Sequence, residues 1–175
     1  MDEINEIHRK KAAKSQPPGL GIIDSQSVKT VSYSDCRGFD GGRKIKGRKR
    51  HIVVDTPGHL IQVIVHAANT HDTKAAHFVL HAAVEKFPRI SIFSGDAGYR
   101  GTAVDFVEQV PGLKMHISER IQDTFAVLPI RWIVERTFAW LGNFRRLSKD
   151  YEIRARSAEN MVRIAMLRLT VAKCV

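Results

Sequence analysis

Residues 129–152, PIRWIVERTFAWLGNFRRLSKDYE, carry Glu135 among apolar neighbours and then turn strongly basic. Ile130, Ile133, Val134, Phe138 and Leu141 recur at helical spacing, Pro129 suits a first helical turn, and no proline follows before Asp150. The stretch predicts an amphipathic helix. Arg131 and Glu135 stand at i and i+4, so both side chains leave the same face. Taken alone, such a pair is a surface ion pair of small energetic value. It becomes a site only if carboxylates from elsewhere in the chain converge on it.

Two such carboxylates lie upstream. LGIIDSQSV, from Leu20 to Val28, reads as a strand with Ile22 and Ile23 buried and Asp24 where the apolar run stops. RISIFSGDAGYRG reads as a second strand, Ile90–Phe93, ending at Ser94-Gly95-Asp96. Asp96 thus repeats the placement of Asp24. Gly98 and Gly101 allow tight turns after it, and Tyr99 and Arg100 are expected to lie against a nucleotide backbone.

The remaining elements follow the same signals. Residues 1–19 are charged and end in Pro17, Pro18 and Gly19, the composition of a helix remnant running into a linker, with a domain beginning at about residue 20. A glycine-rich connection between Lys29 and Arg50 ends in Arg43, Lys44, Lys46, Arg48, Lys49 and Arg50, a segment suited to phosphate contact. Ile52–Val54 and Leu60–Val65 flank Asp-Thr-Pro-Gly as a hairpin, which makes Asp55 a turn residue. Thr70 is the expected N-cap of a helix to about Phe87. Within it His77 and His81 are one turn apart, but no third ligand or H-E-x-x-H glutamate supports zinc. Thr102 opens a short helix, Ala103–Val110, whose Asp105 and Glu108 face outward. LKMHI after Pro111-Gly112 is a short strand, residues 118–128 are a connection, and Ser157 is the expected N-cap of a closing helix with apolar residues nearly all round.

Composition bounds the function. At 175 residues and 43% hydrophobic content the chain suits one domain with a proper core. Twenty-eight Lys+Arg against 18 Asp+Glu give a net charge of +10, which favours a polyanionic partner, nucleic acid above all. Cys36 and Cys174 are too few and too distant for a disulfide framework or zinc ribbon, which points to a reducing intracellular setting. No signal peptide and no apolar run of membrane-spanning length is present, so no membrane partner is expected.

Asp24, Asp96 and Glu135 are therefore candidate ligands from three separate elements. Three hard oxygen donors suit Mg²⁺ or Mn²⁺, and a pair of such ions serves in-line phosphoryl transfer without a protein nucleophile.

IIDSQSVK, YSDCRGFDGGRKIKGRKRHIVVDTPGHL, FSGDAGYRG, VLPIRWIVERTFAWLGNFRRLSKDYE and the closing helix together resemble the bacterial insertion-sequence transposases of the IS5 group, in the IS4-like DDE superfamily. The resemblance runs from about Gly19 to the C-terminus. It implies an α/β, ribonuclease H-like mixed sheet flanked by helices, with Asp24, Asp96 and Glu135 as a metal-binding catalytic triad using two ions. It implies DNA cleavage and strand transfer at insertion-sequence ends, terminal inverted repeats and target DNA as partners, a homodimer when active, and the nucleoid of a bacterial cytoplasm as the setting. The family signature around the glutamate is matched at Arg131 and Glu135, whereas Leu128 stands for its tyrosine and Gly142 for its lysine. Arg145, Arg146 and Lys149 lie one or two turns on and are expected to supply phosphate contacts instead. Full-length relatives carry an N-terminal helical domain, and this chain is expected to start in the linker after it. Two other readings stay open: a truncated, non-catalytic DNA-binding remnant, and a general ribonuclease H-like nuclease.

Overall fold

The computed structural model describes residues 1–110, 112–118 and 129–175. The expected connection over 118–128, with Leu128, and Pro111 fall largely outside these residues. In chain order the elements are α1 (Asp2–Lys11), β1 (Leu20–Lys29), β2 (Gly38–Asp40), β3 (Ile45–Val54), β4 (Leu60–Ala67), α2 (Asp72–Lys86), β5 (Ile92–Asp96), a 3₁₀ turn (Ala97–Tyr99), α3 (Thr102–Glu108), β6 (Lys114–Ser118), α4 (Pro129–Gly142), a second 3₁₀ turn (Arg145–Leu147) and α5 (Ala155–Cys174).

One mixed sheet carries the molecule. β3 pairs antiparallel with β1 on one edge and with β4 and β2 on the other, while β1, β5 and β6 run parallel. An antiparallel half continued by parallel strands, with helices on both faces, is the expected ribonuclease H-like layout. Strand periodicity sorts the core into two layers. Ile22, Ile52, Val54 and Val63 pack with Val134, Phe138 and Leu141 of α4 and with Val162 and Met166 of α5. Ile23, Val53 and Phe93 point the other way, onto Val79, Leu80 and Ala83 of α2 and Val107 of α3. Each fully buried aliphatic side chain contributes roughly 1.5–3 kcal/mol, so this two-sided burial holds the strands in register.

Several boundaries differ from the sequence expectations. β1 runs on to Lys29, because Asp24–Lys29 keep their ladder with β3 after the apolar run ends. β3 begins at Ile45 and not Ile52, so most of the basic run is strand and not loop. Gly47 makes that possible: a Cβ there would lie 1.9 Å from the Val28 carbonyl oxygen. The apolar strand near Ile90 starts at Ile92. His71, not Thr70, caps α2, Gly101 precedes α3, and Arg154 rather than Ser157 precedes α5. α5 buries one stripe, Ala158, Val162, Ala165 and Met166, and leaves Ile164 58% exposed, so it is one-sided.

The N-terminal helix is part of the packed body. Arg9 Nη1 lies 2.5 Å from Asp55 Oδ2 in the β3–β4 turn, and His8 Nδ1 lies 2.9 Å from His59 Nε2. Lys11 donates to the Cys174 carbonyl of α5, and Lys86 of α2 pairs with Asp2 at 2.7 Å. Asp55 is the turn residue expected, and it also receives the His59 amide at 2.7 Å. Among the described residues no helix is long and apolar enough to cross a membrane.

Candidate active site

The register of β1 and β5 places the two aspartates. Leu20, Gly21 and Ile22 pair with Ile92, Phe93 and Ser94, and that offset of 72 positions also separates Asp24 from Asp96. The two therefore stand at the same level. By strand alternation Asp24 shares the face of Ile22, the face on which α4 packs. The β1–β5 ladder ends at Ile22, while Asp24 stays paired with Ile52 of β3 and Asp96 with Ser118 of β6. The sheet forks at that level, and the cleft in the fork is lined by Asp24, Asp96, Ser118, Arg131 and Val134.

The electrostatics of the fork are strained. Burial raises the Asp24 carboxyl to about 7; the Ser25 amide, 2.7 Å from Oδ1, opposes this, and the charge of Asp96 adds to it. Asp96 Oδ1 accepts the Gly98 amide at 2.9 Å, which fixes the carboxylate on its own turn. Two repelling oxygen donors in a half-buried cleft fit a hard divalent cation, whose charge would offset both the repulsion and the burial.

α4 brings its face to the same cleft through Val134, Phe138 and Leu141. Arg131 Nη2 lies 3.6 Å from Asp96 Oδ2, and Arg131 Nε lies 2.8 Å from Glu135 Oε1. Arg131 therefore bridges the strand end and the helix. Among the described residues no three His, Cys, Asp or Glu side chains stand together at metal-binding spacing. Asp24 and Asp96 line the cleft together; Glu135 stands outside that lining, half exposed and paired with Arg131.

The basic residues divide in two. Arg43, Lys44, Lys46, Arg100, Arg145 and Arg146 are exposed, and Lys149 is half-buried over the Tyr151 ring. Arg48, Lys49 and Arg50 correct the expectation of phosphate contact. Arg48 is fully buried, bonded to Asp35, to Asp150 at 3.1 Å and to the carbonyls of Glu152 and Ile153. Lys49 holds Asp72 at 2.9 Å, and Arg50 donates to the Leu147 carbonyl at 2.7 Å. Carboxylates and carbonyls facing these three consecutive strand positions consume the cations. Tyr99 is likewise corrected: it is 1% exposed, with its hydroxyl 2.7 Å from His51 Nε2. His77 packs on Phe106, and His81 faces Glu85. Sequence reasoning passed over His51, which stands in β3 where the basic run gives way to the apolar Ile52–Val54, opposite Ser25.

The family model described as Transposase DDE domain matches residues 15–170. A curated relative from Burkholderia cepacia, "Putative transposase for insertion sequence element IS402", is 31% identical over 117 residues, covering 62% of this chain and 56% of that protein. The chain thus spans just over half the length of that relative. Among solved structures, the catalytic domain of Mos1 mariner transposase aligns with 99% of this chain and 89% of its own, at 12% identity and TM-score 0.49. The catalytic core domain of BIV integrase aligns with 86% of this chain and 82% of its own, at 10% identity and TM-score 0.46. Because the family model covers nearly the whole chain and its span contains Asp24, Asp96 and Glu135, the protein belongs to the transposase DDE domain family.

Proposed function

We propose that the chain is the catalytic part of an insertion-sequence transposase that cleaves DNA at the element's ends and joins the freed 3′-hydroxyl to target DNA. The observation that carries this reading is the level placement of Asp24 and Asp96 at the sheet fork, with Arg131 and Glu135 on the helix facing it. Asp24 and Asp96 would hold Mg²⁺ or Mn²⁺, and Glu135 would complete the set once its pair with Arg131 exchanges. Two such ions activate an attacking oxygen and stabilise a leaving oxygen in phosphoryl transfer. The side chains have separate duties. Arg131, released from the carboxylates, pairs with a phosphate oxygen, as a guanidinium does bidentately. Arg43, Lys44, Lys46, Arg100, Arg145, Arg146 and Lys149 hold the flanking backbone and give salt-sensitive affinity. Terminal inverted repeats and target DNA are the partners in this reading, with two copies acting on paired ends.

The test is cleavage and joining of a duplex bearing the element's terminal repeat, with Mg²⁺ and with Asp96→Ala. Loss of both products in the variant supports the assignment, and retained products refute it. Equal cutting of unrelated DNA or RNA–DNA hybrid without joining would favour a general nuclease, and binding without any cutting a DNA-binding remnant.

A further inference from the structure

On the sheet face opposite Asp24 runs a buried polar chain that the reading above does not use. Tyr99 closes the turn that begins at Asp96, and its ring seats on Gly95: a Cβ there would lie 2.9 Å from Tyr99 Cδ2 and 3.0 Å from Ile23 Cγ2. From the Tyr99 hydroxyl, His51 Nε2 is 2.7 Å away, His51 Nδ1 is 3.2 Å from His66 Nε2, and His66 Nδ1 is 3.0 Å from the Ala67 carbonyl. The proton positions in this chain follow from its last member. A carbonyl only accepts, so His66 Nδ1 carries the hydrogen and its Nε2 accepts. His51 Nδ1 then donates to His66, His51 Nε2 accepts, and the Tyr99 hydroxyl donates to it. This directionality requires both rings neutral, and burial first of all lowers both imidazoles below the ordinary value.

We propose that Tyr99, His51 and His66 are positioning residues that fix the Asp96 turn, and its height relative to Asp24, from the far side of the sheet. His51 is the register partner of Ser25, the residue after Asp24, so the relay ties the strand carrying one aspartate to the turn carrying the other. Asp96 is bound to that turn through the Gly98 amide. None of the three residues touches the cleft. The inference rests on the reading of Asp96 as a metal ligand only for its functional consequence.

The test compares Tyr99→Phe, which keeps the ring and removes the donor, with Val79→Ala, which loosens the α2 core on the same sheet face. Three readouts apply: the solvent-exchange rate of the Gly98 amide, the imidazole nitrogen shifts of His51 and His66, and the Mn²⁺ dissociation constant. We expect Nδ1-protonated neutral rings in the unsubstituted protein. Tyr99→Phe should speed Gly98 exchange and weaken Mn²⁺ binding by about tenfold, the scale of outer-shell losses at metal sites, while Val79→Ala lowers Tm and moves neither. Nε2-protonated rings, or Gly98 exchange in Tyr99→Phe no faster than in Val79→Ala, would overturn the proposal. If the unsubstituted protein binds no Mn²⁺, the metal reading falls, and the metal-free Gly98 and nitrogen readouts still decide the relay.

Discussion

Arg131 lies 3.6 Å from Asp96, reaching from the helix that carries Glu135 to the strand end that carries the aspartate. With its other nitrogen on Glu135 at 2.8 Å, one guanidinium neutralises two of the three acidic residues. It competes with any divalent cation for the same oxygens. Arg131→Ala is expected to bind Mn²⁺ about threefold more tightly in the absence of DNA, a modest change for a partly exposed pair. The same variant should bind terminal-repeat DNA more weakly and cut it poorly. Calorimetric titration with Mn²⁺ checks the first part, and weaker Mn²⁺ binding by the variant would contradict it.

Asp24 sets a pH dependence of stability. Its carboxyl is raised in the folded protein from 3.8 to about 7. Between those values the folded state binds the extra proton, so stability falls as pH rises through the window and the cost is complete above about 7. Asp24→Asn removes the ionisable group. Allowing for partial solvent screening, the variant should be more stable than the unsubstituted chain by about 2 kcal/mol at pH 8 and no more stable at pH 4. Thermal denaturation at the two pH values, without divalent ions, measures this. A lower Tm for the variant at pH 8 would count against the strained pair.

The basic run should separate into stability and binding halves. Arg48→Met leaves Asp150, itself 1% exposed, without its buried partner and is expected to cost about 3–5 kcal/mol. Lys46→Ala is exposed and should change stability by less than about 0.5 kcal/mol. It should instead lower the slope of log affinity against log salt by about one. Urea denaturation and a salt series of DNA binding read the two effects.

Arg9 provides a test of the N-terminal helix. It is 5% exposed and its charge meets Asp55, 2% exposed. Arg9→Ala is expected to cost about 3 kcal/mol, because it strands a buried carboxylate with His59 alone. That corresponds to a fall in Tm of roughly 8 °C. An unchanged Tm would mean that α1 adds nothing to the stability of the sheet.

The acidic positions were legible because strand alternation and the end of an apolar run are local signals. Asp24, Asp96 and the α4 stripe around Glu135 could each be picked out from a few neighbours. What no local signal held was pairing. Asp24 follows the apolar pair Ile22–Ile23 as the point where that run stops, yet Ser25–Lys29 carry the strand on by pairing with β3. Arg48 and Arg50 looked like solvent cations because their partners, Asp150 and the Leu147 carbonyl, lie about a hundred residues away. Separations of 46 and 48 residues likewise hid the union of α1 with Asp55 and the His51–Tyr99 bond beneath the turn. Charge runs report composition; burial depends on contacts that only the assembled sheet brings together.

The level placement of Asp24 and Asp96 has a consequence for anyone rebuilding this protein. Their spacing is a main-chain measurement, fixed by the phase of two parallel strands and not by the length of any side chain. Single substitutions can remove a donor but cannot retune the gap. Deleting one residue between Leu20 and Asp24 would shift the phase by half a pleat and send the carboxylate into the layer held by α2, with every neighbouring core residue reversed. Under the proposed function, redesign of the metal preference is therefore best aimed at the helix-borne Glu135, whose reach can be lengthened or shortened without disturbing the sheet.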